Sequence, residues 1–148
     1  MAAALIDTNI LVYAHDPRQP EKAVRAIEAL DYLQSTQSGR LSAQCLAEFF
    51  VVATRGKDPL LPIEKALRQI DLLSRAFRIL DITSMIVLEA ARGVRAHRFP
   101  YWDSQIWAAA RLNQIPVVLT EDFQDGASIE GVRFVNPFAT KMPVSQLA

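Results

Sequence analysis

The sequence predicts an α/β fold, an α/β/α sandwich whose helices cover both faces of a mostly parallel sheet of roughly five strands. The first observation is a series of short, continuous apolar runs, the pattern of strands that are buried on both faces. The second is that segments with helical spacing separate these runs, as in sheets built from strand–helix–strand units. The length of 148 residues suits one domain, and we expect residues 1–148 to form a single one.

The individual elements follow from local patterns. Pro20 and Pro62 stand where proline favours the first turn of a helix. The predicted helices are two that begin at these prolines and four more, over residues 10–15, 44–54, 84–97 and 102–113. The predicted strands are the apolar runs 2–6, 40–43, 77–82, 116–119 and 132–135.

Apolar spacing also predicts which helix faces point inward. It predicts no helix or strand at the end of the chain. The segment from Lys141 onward shows no such pattern, so we expect it to be loosely held. The residues predicted to face inward on the two proline-started helices are Ala23, Ile27, Leu30 and Leu33, and then Ile63, Ala66, Leu67, Ile70 and Leu73.

Composition excludes several classes of protein. The 16 lysines and arginines balance the 16 aspartates and glutamates, which argues against a nucleic-acid binder that works by bulk positive charge. No apolar run is long enough to span a bilayer, so we expect no membrane association. The single cysteine, Cys45, lies in an apolar stretch and is expected in the core. These features fit a reduced, cytoplasmic protein.

Four acidic residues stand out by their positions. Asp7 and Asp122 follow predicted strands, where ligands of open α/β sheets bind. Glu48 and Asp103 lie in the most apolar helices, with no lysine or arginine within one turn. Each has an ordinary alternative role: Asp7 can cap a helix, Asp103 can stabilise a helix start, and Asp122 can form a turn. Glu48 is the hardest of the four to explain by an ordinary structural role, because buried carboxylates are rare unless they are paired.

If these acids converge on one crevice, they favour a divalent metal ion. Two carboxylates about 5 Å apart repel by roughly 3 kcal/mol at an effective dielectric constant of 20. A cluster of four would therefore take up protons or recruit a cation such as Mg²⁺ or Mn²⁺, which prefers oxygen ligands. The only histidines, His15 and His97, have no partners for a zinc site.

Five sequence blocks resemble PIN-domain nucleases, in particular the VapC-type toxins of type II toxin–antitoxin systems. The blocks are LIDTNILVY (5–13), QCLAEFF (44–50), YWDSQIWAAA (101–110), LTEDFQDG (119–126) and VNPF (135–138). They occur in order over nearly the whole chain. Asp-Thr-Asn alone is a weak motif, but four acidic blocks in this order and context are a specific one.

The resemblance implies a PIN-like fold and a metal-dependent endoribonuclease, a hydrolase of RNA phosphodiester bonds. It also implies a cognate antitoxin as partner and a homodimer. Matched by position, the three principal acids are Asp7, Glu48 and Asp103. Asp122 matches the fourth best, although Glu121 and Asp125 compete with it.

Other residues around these acids are expected to assist. Thr8, Asn9 and Thr120 would orient the carboxylates or metal-bound waters. Positive side chains at the rim would guide an RNA strand, and Trp107 is expected in the core rather than against a base. The candidates for that rim are Arg55, Lys57, Arg95 and Arg98.

Two other interpretations remain open. A non-catalytic PIN-like scaffold would serve only as a binding partner, and metal binding separates it from a nuclease. A phosphotransfer protein also places acids at strand ends. The haloacid-dehalogenase motif, however, needs an acid where Asn9 stands, and a receiver domain needs an acidic pair and a lysine that are missing. RNA rather than DNA as the substrate rests on the resemblance alone.

Overall fold

A mostly parallel six-stranded sheet forms the centre of the computed structural model, which describes residues 2–147. The strands follow the order β3-β2-β1-β4-β6-β5, and every neighbouring pair except β5–β6 is parallel. In chain order the strands are β1 (Ala4–Ile6), β2 (Gly39–Ser42), β3 (Arg78–Leu80), β4 (Val117–Leu119), β5 (Ser128–Ile129) and β6 (Val132–Val135).

Helices cover both faces of this sheet. They are α1 (Thr8–Tyr13), α2 (Pro20–Ser35), α3 (Ala43–Thr54), α4 (Ile63–Ala76), α5 (Ser84–His97) and α6 (Tyr101–Leu112), followed by a 3-10 turn at Val144–Gln146. In β1, Ala4 and Ile6 pack with the cluster that contains α1 to α3, whereas Leu5 packs with the cluster under α5 and α6. This alternation confirms the predicted α/β/α sandwich. Within residues 2–147 no helix has both the length and the apolarity to cross a membrane.

The prediction of roughly five strands missed β5. This strand has two residues, and it pairs with β6 as an antiparallel hairpin. Its turn contains Glu130 and Gly131, which both have positive φ values of 49° and 86°. A strand this short, with Ser128 exposed, carries no apolar run that a sequence pattern could show.

The predicted inward faces of α2 and α4 were partly wrong. On α2 the side chains of Ala26, Ala29 and Leu33 are buried, whereas Ile27 is 45% exposed. On α4 only Ala66 is fully buried among the described residues, and Ile63 is 61% exposed. The helix α4 packs on α3 and β3 at the outside of the fold, so only a narrow stripe of its apolar face is covered.

The prediction that the segment from Lys141 onward is loosely held was also wrong, since this segment packs against the fold. Leu147 is buried in the same apolar cluster as Leu33 of α2. Arg25 of α2 donates hydrogen bonds to the carbonyl oxygens of Pro137 at 2.8 Å and Met142 at 2.6 Å. A single charged side chain of α2 thus holds the segment that precedes the 3-10 turn.

A close approach of α5 and α6 sets the position of α6. At Gly93 of α5, an added Cβ would lie 2.4 Å from Oγ of Ser104 and 2.7 Å from the ring of Trp107. Glycine is therefore the residue that this contact requires. Ser104 Oγ also donates to the Ala90 carbonyl oxygen at 2.7 Å. These contacts fix the first turn of α6, which carries Asp103.

Candidate functional site

The carboxyl ends of β1 and β4 lie side by side, because the two strands are parallel neighbours with Ile6 opposite Leu119. Asp7 directly follows β1, and the segment from Thr120 to Asp122 directly follows β4. The helices α3 and α6 bring Glu48 and Asp103 to the same edge. The structure thus collects the four predicted acids at the crevice expected for a parallel sheet.

Asp7 is the buried centre of this site, with 2% of its surface exposed. One carboxylate oxygen, Oδ1, accepts the backbone N–H of Thr8 at 2.7 Å, which caps α1. The other, Oδ2, accepts the Thr120 hydroxyl at 2.7 Å. Burial nevertheless raises the pKa of Asp7 to about 7, and the charges of Asp122 and Asp103 raise it further against the lowering effect of these hydrogen bonds.

Asn9 connects the acids that follow the two strands. Its Nδ2 donates to Asp7 Oδ2 at 3.4 Å, to Thr120 Oγ1 at 3.3 Å and to Asp122 Oδ2 at 3.2 Å. The backbone N–H of Asp122 also donates to Thr120 Oγ1 at 3.0 Å. Among the described residues, Oδ1 of Asn9 is buried without a hydrogen-bond partner. Such an unpaired oxygen beside carboxylates fits a site that takes up a cation or its bound water.

Glu48 is held directly by side chains of α1 and α3 and indirectly by α6. Its Oε2 accepts the hydroxyl of Thr8 at 3.3 Å, and its Oε1 accepts Nε2 of Gln44 one turn earlier on α3. Gln44 Oε1 accepts Nε2 of Gln105 at 2.8 Å, and Gln105 Oε1 accepts the hydroxyl of Tyr101 at 2.9 Å. We call Tyr101, Gln105 and Gln44 the amide chain. It runs from α6 to Glu48 and orients that carboxylate.

Sequence reasoning missed the amide chain. Gln44 and Gln105 are both buried, in helices that are otherwise strongly apolar. A glutamine four residues before Glu48 faces it on the helix, so this spacing could have been noticed. The partnership between Gln44 and Gln105 spans 61 residues, and no local pattern indicates it.

Asp103 completes the cluster from the first turn of α6. Partial burial raises the pKa of Asp103, and the negative charges of Asp122 and Glu48 raise it further. Pro100 occupies the N-cap of α6, and no side chain caps this helix. Asp103 therefore forms no capping hydrogen bond, although its place in the first turn is compatible with the alternative of stabilising the helix start.

The two competitors for the fourth acidic position are engaged elsewhere. Glu121 accepts hydrogen bonds from the hydroxyl of Tyr13 and, at 2.9 Å, from Nζ of Lys22. Asp125 accepts the backbone N–H of Asn136 at 2.8 Å. Asp122, in contrast, is bonded to Asn9 and raises the pKa of both Asp7 and Asp103 by its charge. The geometry thus favours Asp122. The pairing of Tyr13 and Lys22 with Glu121 was not predicted.

The predicted rim cations fall into two groups. Arg55 and Lys57 are exposed in the segment after α3. Arg95 and Arg98 lie instead around a separate depression of about 500 Å³ at the end of α5. Of the four predicted rim cations, Arg55 lines the depression that Glu48 also lines, whereas Arg95 and Arg98 do not.

The donor set fits a hard divalent cation. The site presents carboxylates, hydroxyls and one unpaired amide oxygen, which are the ligands that Mg²⁺ and Mn²⁺ prefer. Burial raises the pKa of both Asp7 and Asp103, and neighbouring carboxylates raise it further, and a bound cation would oppose both effects. As placed, the described side chains form no closed group of three or more metal ligands. Metal binding would therefore need side-chain rotation, and Asp122 is the exposed member of the cluster, with its carboxylate bonded to Asn9.

Cys45 and His97 lie outside this chemistry. Cys45 is fully buried, and burial raises the pKa of its thiol to about 12, with the charges of Asp7 and Glu48 adding to the effect. It is a core residue, as predicted, and so is Trp107. His97 pairs with Glu130 at 2.6 Å, away from the acids.

Comparison with known proteins gives a family and a shared fold. A profile of the PIN domain matches residues 4–124. No match is found among curated proteins when sequences alone are compared. A toxin–antitoxin complex from Klebsiella pneumoniae contains a chain that is similar in structure, with a TM-score of 0.64 and 24% identity over 91% of this chain and 98% of that one.

Two further solved structures share the fold. A chain of the FitAB complex bound to a DNA fragment has a TM-score of 0.69 and 23% identity, and the alignment covers 94% of this chain and 98% of that one. The Mycobacterium tuberculosis toxin VapC20, described as cleaving the sarcin–ricin loop, has a TM-score of 0.64 and 17% identity over 88% and 99% of the two chains.

Proposed function

The chain belongs to the PIN-domain family, and from this membership we propose that it is a metal-dependent endoribonuclease that hydrolyses RNA phosphodiester bonds. The observation that carries the proposal is the convergence of Asp7, Glu48, Asp103 and Asp122 at one sheet edge, with the pKa of Asp7 raised to about 7. Nothing about protein stability alone calls for four carboxylates at one crevice.

These four carboxylates would hold one or two Mg²⁺ or Mn²⁺ ions. When bound, such an ion supplies a water of lowered pKa and offsets the negative charge that develops on the phosphate. Asn9 and Thr120 hold the carboxylates of Asp7 and Asp122 in place, and Thr8 and the amide chain hold Glu48. The protein's contribution is thus a set of oriented oxygens in a partly dehydrated crevice.

We further propose that the chain is the toxin of a toxin–antitoxin pair. The shared fold with chains of toxin–antitoxin complexes supports a protein antitoxin as partner, and the sarcin–ricin loop-cleaving toxin supports a cleaving activity. A homodimer and a cytoplasmic location, with residues 1–148 acting as one nuclease domain, belong to the same proposal.

Substitution of the acids tests this function directly. We expect Asp7→Asn, Glu48→Gln, Asp103→Asn and Asp122→Asn each to reduce cleavage of a labelled RNA by more than ~100-fold, because each removes a metal-binding charge. Cleavage should require added Mg²⁺ or Mn²⁺ and stop with a chelator.

Glu121→Gln and Asp125→Asn are the matched controls, since both acids are engaged outside the cluster. They should leave metal affinity unchanged and cleavage within a few-fold of the parent. If Asp122→Asn is active and Glu121→Gln is not, the fourth acid is wrongly assigned. If the parent protein neither binds Mn²⁺ nor cleaves RNA, the chain is a non-catalytic scaffold.

A further inference from the structure

An apolar groove opens directly beside the acidic cluster. It lies between α3, the segment after β3 and the start of α6, and has a volume of about 600 Å³. This volume is in the range of sites that bind small molecules. We call it the Trp102 groove. Its lining includes Gln44, Glu48, Val51, Arg55, Ile82 and Trp102.

The groove and the acidic cluster share residues. Glu48 lines the groove and belongs to the cluster, and Gln44 lines it and donates a hydrogen bond to Glu48. A phosphodiester held at the acids therefore has the mouth of the groove next to it. The part of the substrate that reaches the groove first is the nucleoside attached to that phosphate.

Trp102 offers a flat aromatic surface in the groove. It is 62% exposed, although large aromatic side chains are usually covered. Its ring packs against Tyr101 in an edge-to-face contact with centroids 5.0 Å apart. The Tyr101 hydroxyl is in turn bonded to Gln105. The ring is thus supported from one side and open to a ligand, as an aromatic platform for a base needs to be.

Arg55 provides a positive charge at the opposite end of the groove. Glu48 and Arg55 are seven residues apart, which places their Cα atoms about 10 Å apart along a helix. Within the described part of the chain, the Arg55 side chain forms no hydrogen bond or ion pair. It is the only cation among the lining residues, so the groove runs from acids through an apolar middle to a free guanidinium.

We propose that the Trp102 groove binds one nucleobase of the RNA strand, stacked on Trp102, next to the phosphodiester that is cleaved. Arg55 contacts the phosphate on the far side of that nucleotide. With a cation bound at the acids, the groove would run from positive through apolar to positive, which matches the phosphate, base and phosphate of a single strand. This inference rests on the proposed nuclease function and adds the subsite that positions its substrate.

Tryptophan fluorescence tests the stacking in the unmodified protein. The chain has two tryptophans, and Trp107 is fully buried, so a base that stacks in the groove can reach only Trp102. A short single-stranded RNA, added with Ca²⁺ in place of Mg²⁺ to slow cleavage, should quench the emission. The quenching should disappear in Trp102→Phe. The proposal would be overturned if fluorescence anisotropy shows that the RNA binds the parent protein while the tryptophan emission is not quenched.

Steady-state kinetics test the contribution to catalysis. Trp102→Leu should raise KM for a labelled RNA about tenfold, since stacking on one base contributes on this scale. Trp102→Phe should recover most of the loss. In a separate binding measurement, Arg55→Gln should reduce the slope of log affinity for RNA against log salt concentration by about one, because one phosphate contact is lost. Leu88→Ala, at an exposed apolar residue of α5 outside the groove, is the control and should leave KM unchanged.

The outcomes separate this inference from the function on which it rests. If the parent cleaves RNA with Mn²⁺ but Trp102→Leu has the same KM, the subsite is wrong and the nuclease function stands. If the parent does not cleave RNA, the function itself fails. If Trp102→Leu keeps its KM but escapes inhibition by a bound antitoxin, the groove takes a protein segment instead of a base. Unchanged Mn²⁺ affinity shows that each variant is folded.

Discussion

Asp7 combines two roles that conflict in the metal-free protein. Its carboxylate caps α1 and accepts the Thr120 hydroxyl, so it shapes the start of the site. The same carboxylate is almost fully buried beside other acids, and burial raises its pKa to about 7. Near neutral pH the fold therefore holds a charge that it stabilises poorly. A bound cation would remove the conflict.

Metal-free protein should lose stability as the pH rises towards neutrality. The folded-state pKa of Asp7 lies above its ordinary value of 3.8, so the folded protein binds this proton more tightly than the unfolded chain. Stability from Asp7 is thus complete below about pH 4 and is lost as the pH rises through about 7.

The variant Asp7→Asn tests whether ionisation of Asp7 destabilises the folded protein. In the presence of a chelator, the substitution should raise the free energy of unfolding at roughly pH 8 by a few kcal/mol. At low pH the free energy of unfolding should change little. Urea denaturation at several pH values measures this. Asp125→Asn, which changes an exposed acid, should keep the pH dependence of the parent. A destabilised Asp7→Asn protein at roughly pH 8 would show that the cap outweighs the burial of the charge.

At the scale of elements, α3 and α6 depend on each other at the site. The amide chain joins Tyr101 and Gln105 of α6 to Gln44 of α3, and Gln44 also donates to the carbonyl oxygen of Trp102 at 3.1 Å. Glu48 receives its orientation from this contact. The helices therefore position an acid together that neither positions alone.

Gln44→Leu should weaken Mn²⁺ binding about 10- to 100-fold, because Glu48 loses the donor that fixes one of its oxygens. Isothermal titration calorimetry with Mn²⁺ measures the effect. Gln34→Leu, at an exposed glutamine of α2, is the control. Equal Mn²⁺ affinity in Gln44→Leu and the parent protein would mean that the amide chain only packs α3 against α6.

Sequence patterns predicted the elements well where local chemistry marks them. The bounds of α5 and β6 agree with the prediction to the residue, and Thr83 caps α5 by accepting the N–H of Ile86 at 3.2 Å. The inward faces of α2 and α4 were harder to predict. Apolar spacing cannot distinguish a face covered by the sheet from one left exposed, as Ile63 shows.

The candidate site also has a part that local sequence predicted and a part that it did not. The four acids were predicted because each lies at a strand end or in an apolar helix, which are features of the local sequence. The amide chain, and the pairing of Glu121 with Lys22, join residues 61 and 99 positions apart. Such contacts follow from strand order and helix packing, which the sequence alone does not specify.

At the scale of the molecule, the last residues complete the apolar layer around α2. Leu147 is buried there, and Arg25 binds carbonyl oxygens of the segment that leads to it. The layer contains Ile10 and Leu11 of α1, the helix that Asp7 caps. The end of the chain therefore supports the fold from the side opposite α5 and α6.

Leu147→Ala should lower the free energy of unfolding by about 2 kcal/mol, because it removes buried apolar atoms and leaves a cavity. Urea denaturation followed by circular dichroism measures this change. Gln146→Ala, at the exposed neighbour, should change stability by less than ~0.5 kcal/mol. If the two variants are equally stable, the terminal segment contributes nothing to the layer.

The order in which the acids occur along the chain has a consequence during synthesis. Asp7 and Glu48 are translated before Asp103 and Asp122, which lie on α6 and after β4. The strand β4 must also insert between β1 and β6. A chain emerging from the ribosome has two of the acids and no partner strand to set Asp7 against Asp122. For a member of the PIN-domain family, this topology delays the assembly of the acidic cluster until β4 and Asp122 have been made.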